Sequence, residues 1–317
     1  MKGFIILGLS VSSVLSAQTD STQIKEIQEV SFTRRLPVSK EIINVQKDLG
    51  SKNLGQDLPI LLKNQMSVVA TSDAGNGVGY TGFRIRGSAG TSINVMLNGV
   101  PYNDSESQGT FFVNIPDMAS SASQIVIQRG VGTSSNGTAS FGASVNILTK
   151  NPDEKPYVLG QFSAGSFNTM KTSFEAGTGK FLNNLLSVSA RYSTINSDGY
   201  IDRAFSKLNS YNINALFEKG NTKIRFLTFG GKEKTYQAWN GIDAATYETN
   251  PKFNYSGAIY DADGNIVKYY DNETDNYWQN HFQLHWTEKW SENWISNAAL
   301  HYTIGKGYFE QYKEDYL

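Results

Sequence analysis

Between residues 157 and 304 the chain alternates apolar and polar residues with a period of two, in runs separated by connections of two very different lengths. In Leu186-Ser187-Val188-Ser189-Ala190-Arg191-Tyr192-Ser193 one face carries Leu, Val, Ala and Tyr, and the other Ser, Ser, Arg and Ser. Tyr211-Asn212-Ile213-Asn214-Ala215 and Phe282-Gln283-Leu284-His285-Trp286 repeat the scheme, as does 294–304. The runs 157–164, 169–177 and 223–229 are weaker examples. A two-residue period is the signature of a strand with two unlike faces. Seven candidates of about 8–11 residues result, the length of a tilted membrane-spanning strand. The connections 180–184, 219–221 and 288–293 are short, whereas 195–208 and 231–277 are long, and 165–168 falls on the long side. Short turns on one rim and long loops on the other mark an outer-membrane barrel. A soluble sheet with one wet face also alternates. Here, however, the polar face is mostly Ser, Asn, Gln, Thr and His, as suits a solvated lumen. Tyr157, Phe181, Trp278, Trp290 and Trp294 fall near strand ends, where membrane girdles sit.

Aromatic residues divide the chain in two. Of the 17 Phe, 17 Tyr and 5 Trp, only eight precede residue 151. The step coincides with Asn151-Pro152, so a boundary is expected there. The absence of cysteine excludes a disulfide scaffold and a thiolate metal or redox site. A net charge of −1 argues against a chain devoted to binding nucleic acid. Three histidines leave little material for metal or acid–base chemistry. At the start, Lys2, the apolar run 4–9 with Val11, Val14 and Leu15, and Ser16-Ala17 read as an export signal covering 1–17. It is too short for a spanning helix.

The first half reads as a small α+β domain. A short helix or helix pair is expected in 53–63, started near Pro59, and a strand at Phe83-Arg84-Ile85-Arg86-Gly87. Asn98-Gly99 between Ile93–Leu97 and Val100-Pro101-Tyr102 signals a two-residue type I′ hairpin. Asp117 is placed to cap a short helix reaching Ser123. Strands follow at 124–130 and, after a glycine-dotted run, at 143–150.

Taken in order, 83–87, 97–101, 124–130 and 142–150 resemble the plug of a TonB-dependent outer-membrane receptor. The shared pattern is an Arg-Gly strand, an Asn-Gly hairpin, an apolar strand ending Arg-Gly, and a Gly…Val-Asn-Ile…Thr-Lys closing strand. The resemblance implies an export signal 1–17, a periplasmic tether 18–40, a plug 41–151, and the N-terminal part of a transmembrane β-barrel 152–317 with extracellular loop 231–277. The expected fold class is an α+β plug followed by antiparallel barrel strands. Seven are countable where plugged transporters have about 22, so the barrel is expected to be incomplete.

The same resemblance implies roles for particular residues. Glu29, Val30, Ser31, Phe32 and Thr33 resemble the TonB box, an extended segment that would pair with the sheet edge of TonB in the TonB–ExbB–ExbD complex. Arg84, Arg86 and Arg129 would contact the inner barrel wall, where the family places acids; those acids are expected beyond residue 317. Tyr102, Trp239, Tyr269 and Tyr270 are candidate contacts for a small extracellular ligand. Import of a scarce ligand, a ferric siderophore or similar metal chelate, is the implied function, with outer-membrane lipid as the surrounding partner.

No cofactor, metal site or catalytic constellation is expected. Asp261-Ala262-Asp263-Gly264-Asn265 has its glycine at the wrong place for an EF-hand and reads as a hairpin turn. The run 130–137 lacks the Gly-Lys-Ser/Thr ending of a phosphate loop. His281 and His285 share the lumen face but are too far apart along a strand for one ion. The rival readings are an outer-membrane barrel hydrolase, which needs an acid/His/Ser group at the rim, and a receptor that reports ligand to a regulator. The latter needs a further periplasmic domain, for which 18–28 offers too few residues.

Overall fold

The computed structural model describes residues 40–130 and 141–313. The export signal, the segment 29–33 and residues 131–140 lie outside the described residues.

Apolar burial builds the first domain around a mixed five-stranded sheet. Its strands are β1 (Lys40–Asn44), β4 (Ile93–Leu97), β5 (Val100–Pro101), β6 (Ala122–Arg129) and β7 (Ala143–Thr149), in the order β1-β6-β7-β4-β5. The hairpin joining β4 to β5 turns through Asn98 at φ 54° and Gly99 at φ 78°, the two positive angles that a type I′ turn requires. Every residue of β4 is buried, as befits a strand paired in parallel with β7 and antiparallel with β5. Ile125, Ile127, Val145 and Ile147 of β6 and β7 are wholly buried. A separate hairpin pairs β2 (Val68–Ser72) with β3 (Thr81–Ile85). Two single-turn helices complete the domain. The first, α1 (Leu58–Leu61), has Pro59 in its first turn, where a missing N–H costs nothing. The second is α2 (Met118–Ser121).

Seven strands follow in one antiparallel meander: β8 (Pro156–Ala164), β9 (Met170–Phe181), β10 (Leu186–Ser197), β11 (Ser206–Lys219), β12 (Thr222–Tyr236), β15 (Thr274–Ser291) and β16 (Trp294–Phe309). The sheet is open, with β8 and β16 at its edges. The seven strands expected from the alternation are all present, but several are longer than expected, β15 reaching 18 residues. Ladder pairing between β12 and β15 persists out to Tyr236 opposite Thr274. The long connection is therefore 237–273 rather than 231–277. It holds a short helix, α3 (Ala244–Thr249), capped by the Asp243 carboxylate at 3.0 Å from the Thr246 N–H. It also holds the hairpin β13 (Ala258–Tyr260) and β14 (Ile266–Tyr269), turning through 261–264 as the hairpin reading expects.

The two faces of the meander are inverted relative to a soluble protein. Val158, Phe162, Phe174, Phe226 and Leu300 are exposed on one face. Ser173, Ser193, Ser210, Asn214 and Gln283 are buried on the other, against the first domain. Exposed apolar area of this extent marks contact with something other than water. No described helix is long and apolar enough to cross a membrane.

Gly230 and Gly231 had the composition of a loop start, yet they stand mid-strand in β12. The reason is proximity. A Cβ at Gly231 would lie 2.5 Å from both the Asn114 carbonyl oxygen and Pro116 Cδ of the first domain. Beside it, Leu227 and Phe229 of β12 project into the first domain's apolar core. Gly231→Val is expected to push 114–116 off the wall while leaving the meander paired. Limited proteolysis of the folded protein should then cut the first domain faster than in the wild type; equal rates would mean the close approach is not required.

Candidate functional site: the plug–wall interface

Asp117 is the centre of the interface. It precedes α2 at φ 55°, but its carboxylate accepts no backbone N–H of the helix, contrary to the sequence expectation. Its carboxylate instead crosses to the wall. Oδ1 lies 2.6 Å from Lys171 Nζ on β9, and Oδ2 lies 2.9 Å from Arg191 Nη1 on β10. Ser193 Oγ donates to Oδ2 at 2.8 Å, and Ser120 Oγ donates to Oδ1 at 2.6 Å. Arg191 Nε is occupied by Ser121 Oγ at 2.7 Å. All three charged side chains are at least 96% buried. Burial alone would raise the Asp117 pKa, but Arg191 and Lys171 outweigh it and hold the carboxyl below its usual range.

A second polar fastening lies at the end of β7. Arg225 Nη2 on β12 donates to Thr149 Oγ1 at 2.6 Å and to the Lys150 carbonyl at 2.7 Å. Asn214 Nδ2 donates to the same carbonyl at 2.7 Å, and Asn214 Oδ1 accepts from Arg225 Nε at 2.9 Å. A third is built on the Asn-Gly hairpin, where Asn98 Nδ2 donates to Gln283 Oε1 at 3.2 Å. In the first two of these fastenings the wall supplies the cations, and the first domain supplies the acid and the acceptors.

Of the three arginines named from the sequence, only Arg129 is seen with its acid. Arg84 and Arg86 are exposed, and Arg86 leaves the strand with φ 52°. Arg129 bonds to Glu41 of β1 and, through Nε, to the Met66 carbonyl at 2.9 Å. It ties the first domain to itself rather than to the wall.

On the long-loop side, the Tyr80 hydroxyl bonds to Asp275 on β15 and lies 3.3 Å from Glu233 Oε1 on β12. Trp239, 41% exposed, packs edge-on against the Tyr80 ring at 5.6 Å. Of the four candidate ligand contacts, only Trp239 is brought to this point. Tyr102 is pinned through its hydroxyl to the Phe111 carbonyl at 3.1 Å, with its ring against His281. Tyr269 is covered by the Arg203 guanidinium, 3.4 Å from its ring centroid. Tyr270 bonds to Glu310. The latter two hold loops together. Among the described residues no cluster of three or more His, Asp or Glu could hold a metal ion.

Asp117, Lys171, Tyr80, Glu233 and Asp275 went unrecognised in the sequence. The usable signal was Arg191, a cation on a strand face otherwise made of serine.

Asp117→Ala leaves two buried cations without a counter-charge, which costs about 3–5 kcal/mol. It should lower the urea midpoint of the folded protein. Replacing Asp117, Lys171 and Arg191 together by Leu, Met and Met should recover most of the loss. A single variant as stable as wild type would show that the cluster does not fasten the plug.

Asp57 gives a pH test. Burial pushes its carboxyl up to about 8, opposed by the Thr81 hydroxyl at 3.1 Å and reinforced by the Asp117 charge. A raised folded pKa means its stabilising contribution is full below about 4, the unfolded value, and is lost as pH rises through about 8. Asp57→Asn should therefore gain stability on the wild type between pH 4.5 and 8.5 in parallel melts; a constant difference would refute this.

A family model, TonB-dependent Receptor Plug Domain, matches residues 33–144. No curated protein sequence matches the chain. Among solved structures, the ferric citrate transporter FecA in its unliganded form aligns with a TM-score of 0.65 at 15% identity, over 87% of this chain and 41% of that one. FpvA of P. aeruginosa, bound to heterologous pyoverdines, aligns at 0.63 and 13% identity, over 85% and 34%. The siderophore receptor PiuA from Acinetobacter baumannii aligns at 0.61 and 15% identity, over 86% and 37%. At such identities the likeness is one of fold, and the chain spans roughly two-fifths or less of each structure's length. Residues 33–144 thus carry a TonB-dependent receptor plug domain, and the seven-stranded meander that packs around it shares its fold with these solved structures.

Proposed function

We propose that the chain supplies the plug and first wall strands of an energised importer in the outer membrane, with a ferric siderophore or similar metal chelate as cargo. The observation that carries this reading is the buried fastening of Asp117 to Lys171 and Arg191. A stopper held to its wall by desolvated charge does not drift open, so passage of a solute requires work on the plug. The outer membrane offers no ion gradient for that work. The reading therefore draws force from TonB and its ExbB–ExbD partners, applied through 29–33. Val30 and Phe32 would lie on one face of an added strand, and Glu29, Ser31 and Thr33 on the other.

Ligand would enter from the long-loop side. Trp239 beside Tyr80 gives that side an exposed aromatic next to the plug. Tyr102, Tyr269 and Tyr270 would shape the vestibule rather than reach into it. The iron-chelate class is supported by FecA, named a ferric citrate transporter, by FpvA bound to pyoverdines, and by PiuA, named a siderophore receptor. Ligand occupancy would act by shifting the population in which 29–33 is available to TonB.

Deleting 29–33 from the receptor in its own cell is expected to abolish uptake of radiolabelled ferric citrate, catecholate or hydroxamate complexes, whichever the wild type imports. Surface binding of that complex should stay within about twofold of wild type. Uptake that survives the deletion would remove these residues from the mechanism.

A further inference from the structure

In an Asn-Gly pair the backbone can attack the side chain. The glycine nitrogen, once its proton is lost, can add to the asparagine Cγ, and glycine has no Cβ to hinder the approach. The described residues hold three such pairs: Asn76-Gly77, Asn98-Gly99 and Asn240-Gly241. The fold treats them differently.

Two of the pairs are locked. Asn98 Oδ1 accepts from the Thr149 N–H at 2.9 Å and from Thr149 Oγ1 at 3.0 Å, while Nδ2 donates to Gln283. Its nucleophile is engaged as well, because the Gly99 N–H donates to Asn146 Oδ1 at 3.1 Å. Asn76 Nδ2 donates to Ser197 Oγ at 2.6 Å, and Asn76 Oδ1 accepts from the Val78 N–H at 3.3 Å. The Gly77 N–H donates to Ser72 Oγ at 2.9 Å, and a Cβ on Gly77 would lie 3.0 Å from Ile60. Both asparagines are bonded across the plug–wall seam. Neither can turn onto its glycine nitrogen without breaking those bonds.

Asn240-Gly241 has none of this restraint. Both residues are exposed, in the loop between β12 and α3. Among the described residues, neither the Asn240 side chain nor the Gly241 N–H has a hydrogen-bond partner. A Cβ at Gly241 would meet nothing within 4 Å, so the backbone has room to turn and water can reach Cγ. The pair lies between two fixed points. On one side Trp239 packs against Tyr80, and on the other Asp243 caps α3.

We infer that Asn240 is a site of spontaneous deamidation in the folded protein. The Gly241 nitrogen bonds to Asn240 Cγ, the Cγ–Nδ2 bond breaks, and ammonia leaves carrying the proton that Gly241 gave up. Water then opens the cyclic imide at either carbonyl, leaving an aspartate or an isoaspartyl linkage. No enzyme, oxidant or cofactor takes part. Both products place a new negative charge beside Trp239. The isoaspartyl form also adds a methylene to the main chain between Trp239 and the α3 cap, which alters how that ring is held over Tyr80. This chemistry is independent of the cargo.

Peptide mapping by mass spectrometry tests the site, on the full protein folded in detergent and aged at mildly alkaline pH. The peptide carrying Asn240 should gain about one dalton at least about tenfold faster than those carrying Asn76 and Asn98. In guanidinium chloride, where sequence acts alone, the three should convert at rates within about threefold of one another. An isoaspartyl-specific methyltransferase should label the aged folded protein at position 240 and not at 76 or 98, and Asn240→Gln should abolish that label. Heat-modifiable gel mobility reports whether the variant has folded. Conversion of Asn240 no faster than that of the other two in the folded protein would overturn the inference. So would protection of Asn76 and Asn98 that persists after unfolding, because the fold would then not be what spares them.

Discussion

One carboxylate holds two domains in register. Asp117 leaves water to meet Lys171 and Arg191, and neither cation has a second acid within ion-pair distance among the described residues. Desolvation of three charges is costly, and the pairing is favourable only because Ser120, Ser121 and Ser193 satisfy the remaining donors and acceptors. Such a cluster is demanding in geometry and intolerant of slippage. Around it the less specific contacts fall into place: the Arg225 clasp on Lys150, the Asn98–Gln283 bond, and the close approach of 114–116 to Gly231. The charges set where the plug sits, and the apolar area around them supplies the adhesion.

Local features were legible in the sequence. Alternation gave the meander and its two unlike faces, because the period-two rule is enforced at every residue by the pleat. Asn98-Gly99 gave its hairpin because few residues other than Asn and Gly take two successive positive φ angles. What failed were inferences that needed a partner from far along the chain. Asp117 before a short helix looks like a cap until Lys171 and Arg191 arrive from two strands that the sequence does not place beside it. Gly230-Gly231 looks like a loop until Pro116 presses against it. Arg129 was assigned by resemblance to a wall acid, whereas it finds its acid in Glu41, 88 residues earlier. Strand ends were misjudged for a related reason: pairing with a neighbour extends β12 and β15 beyond the stretch where alternation is visible.

Electrostatics and shape divide the labour along the wall. At the level of Asp117 the lumen is charged and dry; toward the loops it holds Tyr80, Glu233 and Asp275 with Trp239 above them. Loop 237–273 is tied to its neighbour by Arg203, which stacks on Tyr269 and bonds to the Asn254 carbonyl. The long-loop side is thus held in a fixed arrangement over the plug.

The interior of the plug is completed by residues that the plug does not contain. Leu227 and Phe229 reach its core from β12, whereas its own last strand ends at Thr149. Because chains emerge N-terminus first, about eighty residues must follow that strand before those two side chains exist. A nascent plug therefore waits with one flank unsealed, a sticky intermediate that needs either a chaperone's shelter or the delay of its own final collapse.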